Sequence, residues 1–294
     1  MSSVSQTASE VVRSAFNFTV DRFPLFGPDG MRTPAYGLFR SDTCKMVGTP
    51  VTSSYVPHTT DDVCAIVDAA SEAFDGVECS ATFRDGHYVD LKPSRAERVQ
   101  LSQSDSIFPR FLISAGYDRR AFRVTIGYWR DVCDNLSILR SVKSSTLHIR
   151  HMGSLRSRMD ELIQNLQQLE SQWDMLLGKI NKMESQEVEL EKFLREIFPE
   201  PSQEQIELSK TKKVRGVTMD TKRMDAILAR INGERMRTGR SATAGMVTAW
   251  EAYNGVQGYV QHTAGRRKDG YLDGVINSWN SPIVTRAEAL ALGG

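Results

Sequence analysis

Four side chains on two predicted strands have the chemistry needed to hold a nucleic-acid strand. Side chains alternate between the two faces of a strand, so Arg123 and Trp129 share one face of the first strand. His148 and Arg150 share one face of the second strand in the same way. Cations bind phosphates and an aromatic ring stacks on any base, which suits sequence-tolerant binding of single strands. If both strands join one sheet, the four side chains form one basic and aromatic face.

A purely structural interpretation explains the same pattern. In that interpretation the arginines keep an exposed sheet in solution, and Trp129 packs beneath a neighbouring helix. Further cations favour binding, because they flank the two strands or lie in a basic turn between two glycines. In full, the predicted nucleic-acid-binding residues are Arg119, Arg120, Arg123, Trp129, Lys143, His148, Arg150, Arg156, Arg158, Arg266, Arg267 and Lys268.

The charge distribution along the chain supports a polyanionic partner, although the net charge of +1 does not. Residues 110–158 hold 10 basic and 3 acidic side chains, and residues 209–294 hold 14 and 7. Residues 1–109 hold 9 and 14, and residues 159–208 hold 4 and 12. Two basic regions are therefore separated by an acidic one, and such segregation is an argument about partners rather than about fold.

The sequence contains no comparable catalytic or metal-binding constellation. Its four cysteines have irregular spacings with no C-x-x-C pair, which predicts small buried apolar residues rather than disulfides or a zinc site. His148 and His151 would point to opposite faces of a strand, so they do not form a ligand pair. The common phosphate-loop, dinucleotide, metalloprotease and serine-hydrolase motifs do not occur. We therefore predict no catalytic residue, no metal and no cofactor.

A minor alternative is a metal-dependent enzyme that processes DNA. Asp118, Asp131 and Asp134 carry carboxylates of the kind that binds Mg²⁺. Turn and solvent-exposed positions account for these aspartates more simply, so the sequence favours a binding protein over an enzyme.

Residues 1–153 have the pattern of an α+β domain with a mostly antiparallel sheet. The predicted strands are rich in β-branched and aromatic residues, and Gly, Pro, Asp and Ser separate them. One helix is predicted from Thr60, its N-cap, with an apolar face that includes Val63, Ile66 and Val67. The strands are predicted at Val47–Val56, Ser80–Phe83, Tyr88–Lys92, Arg110–Ser114, Ala121–Arg130 and Thr146–His151.

Residues 154–200 carry a sustained heptad pattern. Between Leu155 and Ile197, thirteen positions recur at steps of four and three, and Glu187 is the only one that is not apolar. The pattern predicts one long amphipathic helix, either packed along its own domain, paired as a coiled coil, or folded into a helical hairpin near Gly178. Residues 201–294 then form a basic helical C-terminal region, with helices predicted at Asp220–Ile231, around Trp250, and near Val284–Leu292.

The composition is that of an ordinary globular protein. The 294 residues are 40% hydrophobic and 25% charged, which argues against a disordered or fibrous chain. Apolar runs are too short to span a membrane, and Met1–Glu10 lacks the layout of a signal peptide. We therefore expect a cytoplasmic protein that does not contact membranes.

Four short stretches, spread over most of the chain, resemble one known family. They are Tyr36–Thr43 continuing to Ser54–Pro57, Arg130–Asn135, His151–Ser154, and Ala249–Asn254 with the basic turn behind it. In this order and spacing the chain resembles the phage- and plasmid-like proteins classed as domain of unknown function 932. The resemblance implies a mobile-element origin in a bacterial host cell, with phage or plasmid DNA metabolism as the setting.

The chain departs from that family at two places. Asn135 is followed by Leu136 where similar proteins carry glycine, and Ser114–Asp118 lacks the histidine of the family's Ser-His-Asp-Gly stretch. Chemistry that uses that histidine is therefore not expected here.

Two functions follow as hypotheses. The first is a homo-oligomeric protein of recombination or replication that binds single-stranded DNA on the basic sheet face and anneals complementary strands. Phage annealing proteins share this logic, but the analogy is one of architecture alone. The alternative is a structural or scaffolding oligomer of a mobile element, assembled through the heptad helix without nucleic acid.

Overall fold

The computed structural model describes most of the chain. The described residues are 6–84, 86–94, 98–102, 105–117, 122–133, 135–137, 146–149, 160, 161, 163, 166–211, 221–263, 275, 278 and 281–293. Within these residues the chain forms two compact units. The first comprises residues 1–98, 108–128 and 143–174, and the second comprises residues 99–107, 129–142 and 175–294.

The N-terminal part of the first unit is a helix followed by a three-stranded antiparallel sheet. Helix α1 is Ala8–Ala15, and the strands are β1 (Val20–Phe26), β2 (Arg32–Arg40) and β3 (Met46–Val51) in the order β1-β2-β3. The Gly-Pro-Asp-Gly segment predicted as a turn connects β1 to β2, where Gly30 adopts a positive φ of 74°. The sequence patterns did not predict α1, β1 or β2.

Helix α2 (Thr60–Ala73) confirms the predicted helix. Its cap is Thr59 rather than Thr60: the Thr59 hydroxyl accepts a hydrogen bond from the Asp62 backbone N–H, and the Asp62 carboxylate accepts one from the Thr59 N–H. The predicted apolar face is buried at Val63, Ile66 and Val67. Helix α1 packs against α2, and both helices contribute to the core of the first unit.

The main sheet is antiparallel, as predicted. Its strands β4 (Val77–Phe83), β5 (Gly86–Pro93), β7 (Asp105–Gly116), β8 (Phe122–Arg130) and β10 (Thr146–Ile149) lie in the order β10-β8-β7-β5-β4. The short strands β6 (Val99–Ser102) and β9 (Asn135–Ser137) pair with β7 and β8. The strands predicted for the main sheet start and end within three residues of the described ones, except that β7 begins five residues before the predicted Arg110. In the three-stranded sheet, β3 ends at Val51, five residues before the predicted Val56, and the short strands β6 and β9 were not predicted.

Where the heptad pattern predicted one helix, the chain forms a helix, a short strand and a second helix; residues up to Asp174 belong to the first unit and those from Met175 to the second. Helix α3 (Leu166–Ser185) ends before the strand β11 (Glu187–Glu189), and helix α4 (Leu190–Ile197) follows at once. The single long helix that the heptad pattern predicted is therefore not confirmed in this region. The chain leaves the helix at Glu187, the one polar heptad position, and not at Gly178, which lies exposed inside α3.

The apolar heptad residues from Leu176 to Ile197 are buried inside the second unit. Leu176, Ile180 and Met183 on α3 are each 0% exposed, and Leu190 and Leu194 on α4 are buried as well. A coiled-coil seam needs apolar residues that remain available to another helix. These residues are used within the chain instead. The predicted heptad positions Leu155, Met159 and Leu162 lie outside the described residues.

The remaining elements of the second unit are mostly helices, as predicted. They are α5 (Gln203–Thr211), α6 (Thr221–Arg237), α7 (Ala249–His262) and α8 (Pro282–Ala291), with strand β12 (Met246–Thr248) paired to β11. Helix α7 packs against both α6 and α8 and is buried along almost its whole length. None of the described helices combines the length and the hydropathy that a membrane crossing requires.

Candidate functional site

The strand pair β8–β10 brings together two of the predicted binding residues. The strands pair in antiparallel register, with Arg123 opposite His148 and Val124 opposite Leu147. Directly opposed residues of an antiparallel pair share a face of the sheet. The register therefore confirms that the two predicted strands join one sheet and that Arg123 and His148 share a face.

The face of β8 that carries Arg123 is less exposed to solvent than the alternation of side chains in the sequence predicted. Arg123 is partly exposed, but Thr125, the next residue on the same face of β8, is 0% exposed. On the opposite face, Phe122 and Val124 belong to the core of the first unit. Strand β8 is thus covered on both sides in its middle, so within the first unit only its Arg123 end is open to a ligand.

The other predicted residues are distributed differently. Trp129 is partly exposed and belongs to the second unit. For His148 only the backbone is described. Nine predicted binding residues lie outside the described residues: Arg119, Arg120, Lys143, Arg150, Arg156, Arg158, Arg266, Arg267 and Lys268.

Arg130, which directly follows Trp129, is the centre of a buried ion network in the second unit. Its guanidinium donates to the Asp105 carboxylate at 2.7 Å and to the Glu234 carboxylate at 2.8 Å. The same guanidinium lies over the Trp250 ring, 5.6 Å from the ring centroid. All three charged side chains are at most 5% exposed. Arg130 is therefore fully engaged by the protein and is not a surface contact for phosphate.

Two stretches that carry the family resemblance meet in this unit. Arg130 begins the first stretch and Trp250 belongs to the second. Asn135, at the end of the first stretch, donates from Nδ2 to the Asn254 carbonyl at 3.2 Å. The side-chain oxygen of Asn135 is 3.1 Å from His262 Nε2. Residues that are far apart in the chain thus form a polar cluster that is buried at Asn135 and Asn254 and exposed at His262, and both stretches contribute residues to it.

The cysteines have no features of catalytic nucleophiles. All four are free; Cys64 and Cys133 are buried as predicted, whereas Cys44 is exposed. Burial raises the pKa of the Cys133 thiol to about 11 even though Arg130 acts to lower it. Because the thiolate is the reactive form, Cys133 is inert at neutral pH.

The aspartates of the magnesium alternative are not brought together in the described part of the chain. Asp131 accepts a hydrogen bond from the Ser106 hydroxyl at 2.8 Å, and its backbone N–H donates to the Ser106 carbonyl. Asp118 and Asp134 lie outside the described residues. Across the described ranges, no group of three or more His, Cys, Asp or Glu side chains is placed to hold a metal ion.

A buried histidine pair in the first unit was not predicted from the sequence. His58 Nε2 and His87 Nδ1 are 2.7 Å apart, and each residue is 1% exposed. The Tyr117 hydroxyl donates to the His58 carbonyl at 3.0 Å, and the Tyr117 ring stacks on the His58 ring. Burial and, to a lesser extent, the nearby charge of Arg40 lower the pKa of His87 to about 3. His87 is therefore neutral at physiological pH.

The rings around this pair form the wall of a cleft. Phe16 meets His87 edge-on with ring centroids 4.2 Å apart, and Phe18 stacks on His87 at 6.1 Å. Phe16, Phe18, His58 and Tyr117 line a cavity of about 610 Å³. His58 and His87 are 29 residues apart, and such a spacing produces no periodic pattern in the sequence. The pair could therefore not be predicted from periodicity.

The described residues form an α+β protein with a buried ion network around Arg130 in the second unit and an aromatic cleft in the first. A family model described as "Domain of unknown function (DUF932)" matches residues 49–281, and the chain belongs to that family. No curated protein matches the chain. No solved structure matches it either. The family description assigns no activity, so function has to be argued from the residues.

Proposed function

We propose that the chain binds single-stranded DNA through the end of the β8–β10 pair that carries Arg123 and His148. The observation that supports the proposal is the strand register, which places these two residues opposite each other on one face. Arg123 remains partly exposed, which is compatible with contact between its side chain and a phosphate. Electrostatic attachment of this kind supplies affinity without sequence preference.

The surrounding sequence strengthens the electrostatic argument. Residues 110–158 carry 10 basic and 3 acidic side chains, and both strands of the pair come from this block. Strand β10 is at the end of the described strand order, so only one of its edges is occupied by a neighbouring strand of the main sheet. A terminal strand within a basic block of the sequence gives an extended phosphate backbone a line of contacts to follow. In a mobile element, such binding would serve strand annealing in recombination or replication.

The test is a titration of labelled single- and double-stranded oligonucleotides, followed by fluorescence anisotropy over a series of salt concentrations. We expect tighter binding to the single strand and an affinity that falls as salt rises. Replacing Arg123 by Glu should weaken binding about tenfold or more and reduce the slope of log K against log salt by about 0.7 per lost phosphate contact.

The matched control is Arg32→Glu, because Arg32 is an exposed arginine of the first unit on a different sheet. The same reversal of charge there should change the affinity much less. Equal losses in the two variants, or binding that does not respond to salt, would rule out a phosphate site at Arg123.

The scaffolding alternative makes a different prediction about assembly. It requires an oligomer that forms through the heptad residues without DNA, whereas those between Leu176 and Ile197 are buried within the second unit. Light scattering coupled to size exclusion, at low and high salt with and without an oligonucleotide, separates the two functions. Assembly that needs the oligonucleotide supports DNA binding; a stable oligomer that ignores both salt and DNA supports scaffolding.

A further inference from the structure

The aromatic cleft of the first unit has the size and lining of a small-molecule site. Its volume of about 610 Å³ lies within the roughly 300–1,000 Å³ that ligand pockets typically enclose. Its deepest residues are rings: Phe16, His58 and Tyr117 are each 1% exposed, and Phe18 is 8% exposed. A largely apolar floor made of flat rings favours a flat aromatic ligand.

Polar groups surround this floor at the mouth of the cleft. The Thr19 hydroxyl donates to the Asp21 carboxylate at 2.9 Å, and the Ser41 hydroxyl accepts from the Thr19 backbone N–H at 2.9 Å. Thr19, Asp21 and Ser41 are all exposed, as is the neighbouring Asn17. Hydroxyl, amide and carboxylate groups can bind the polar edge of a heterocycle while its faces contact the rings.

The charges at the mouth disfavour a phosphorylated ligand. Arg13 is the one cation that lines the cleft, and it is paired with Asp61. Asp21 leaves the lining with an excess negative charge. Arg40, which lies over the Phe18 ring at 3.7 Å, forms an ion pair with Asp42. A phosphate would therefore meet carboxylates and already paired cations.

We propose that this cleft binds the base of an unphosphorylated nucleoside. The base packs against the apolar wall of the cleft, and the polar groups at the mouth bind its edge and the sugar hydroxyls. The site is independent of the proposed DNA-binding end of β8–β10. The family match begins at residue 49, so it covers His58 and Tyr117 but not the cleft residues from Arg13 to Ser41.

Saturation-transfer NMR and calorimetry with adenosine, guanosine, cytidine and uridine test the proposal directly. At least one nucleoside should bind, and adenosine 5′-monophosphate should bind more weakly than adenosine. Glucose serves as a probe with hydroxyls but no flat ring, and we expect no binding. Failure of all four nucleosides, tighter binding of the monophosphate, or equal binding of glucose would each overturn the proposal.

A variant that blocks the mouth of the cleft tests whether the nucleoside binds there. Thr19→Trp adds a large side chain at the mouth without removing a core residue, and it should weaken nucleoside binding at least tenfold. Thr49→Trp makes the same change at an exposed threonine of β3 outside the cleft and should have no effect. Equal affinities of these two variants would exclude the cleft as the site.

The same variants separate this proposal from the proposed function. Thr19→Trp should leave the affinity for single-stranded DNA unchanged, and Arg123→Glu should leave nucleoside binding unchanged. Loss of DNA binding in Thr19→Trp would identify the cleft as a pocket for bases of the strand and would overturn a free-nucleoside site. Failure of Arg123→Glu to affect DNA binding would count against the β8–β10 site alone.

Discussion

Arg130 illustrates how strongly the surroundings of one residue decide its role. It stands in a basic block of the sequence beside Trp129, yet its guanidinium is 3% exposed and held by Asp105 and Glu234. A buried ion pair contributes little net stability, because desolvation offsets the attraction. Removing one partner is costly, however, since the other charges stay buried without compensation. The ion network around Arg130 is therefore needed for the folding of the second unit and does not form a surface that binds a ligand.

Arg130→Met should for this reason destabilise the protein severely. Buried Asp105 would lose its ion pair with Arg130, and buried Glu234 would keep its ion pair with Arg230 but lose the one with Arg130. We therefore expect a decrease of about 3–5 kcal/mol in the free energy of unfolding. Urea denaturation followed by circular dichroism and tryptophan fluorescence measures it. Arg195→Met is the control, because Arg195 forms exposed ion pairs with Glu191 and Glu200, and no measurable change is expected there. Similar values for both variants would contradict the role given to Arg130.

His87 makes stability depend on pH in a defined direction. Its pKa falls from the ordinary 6.5 to about 3 in the folded protein, so only the unfolded chain takes up the proton between these values. Stability is therefore complete above pH 6.5 and declines as the pH falls towards 3, by at most about 1.4 kcal/mol per pH unit. Urea denaturation at several pH values should show a shallower decline for His87→Gln than for the unmodified protein.

The control for the pH experiment is the same substitution at His262, an exposed histidine. It should leave the decline between pH 6.5 and pH 5 as steep as before. Identical pH profiles for His87→Gln and the unmodified protein would mean that His87 takes up its proton without cost in the folded state.

At the scale of elements, two glycines inside helices differ in the space that a side chain would have. Gly178 in α3 has nothing within 4 Å of where a Cβ would stand. Gly255 in α7 has Ile231 Cγ1 of α6 at 2.2 Å from that position, because the two helices approach each other closely there. The first glycine costs helix stability without a packing benefit, whereas the second permits the contact.

Replacing each glycine by alanine should therefore have effects of opposite sign. Gly178→Ala should raise the free energy of unfolding by about 0.5–1 kcal/mol, since alanine favours the helix. Gly255→Ala should lower it by about 1–3 kcal/mol through overpacking against Ile231. Thermal and urea denaturation of both variants measures these changes in the free energy of unfolding. A destabilised Gly178→Ala would show that α3 needs flexibility at this position.

At the scale of the whole molecule, the two units are interleaved along the chain. Six segments alternate between them, so the chain passes from one unit to the other five times. Residues 99–107 and 129–142 belong to the same unit as residues 175–294. The partner of Arg130 on α6, Glu234, is 104 residues away from it in sequence. Each unit is completed only when distant parts of the chain are present.

A fragment of residues 1–153 should accordingly fail to fold cooperatively. It would contain Arg130 and the buried residues Ile107 and Cys133 without the helices of the second unit. We expect a broad thermal transition by circular dichroism and poor dispersion in a ¹H–¹⁵N correlation spectrum, whereas the full chain should be well dispersed. A sharp transition with native-like dispersion would show that the first part is an autonomous domain.

Local sequence patterns predicted a good part of the fold. Alternation located β8 and β10, and helical spacing located α2 and its buried face, because these signals depend only on the geometry of neighbouring residues. The same patterns missed α1 and the hairpin β1–β2. They also extended the heptad through Gln186, because a repeat does not reveal that β11 pairs with β12 from a segment about 60 residues later.

The sequence by itself determined the α+β class, the approximate strands, the segregation of charge and the family resemblance. Only the tertiary structure decided which charged residues are used internally. Arg123 stays partly exposed opposite His148, while Arg130 on the same strand is buried between Asp105 and Glu234. It also assembled the His58–His87 pair and its cleft. Periodicity is a property of neighbouring residues, whereas burial and charge pairing depend on segments that meet only when the chain folds.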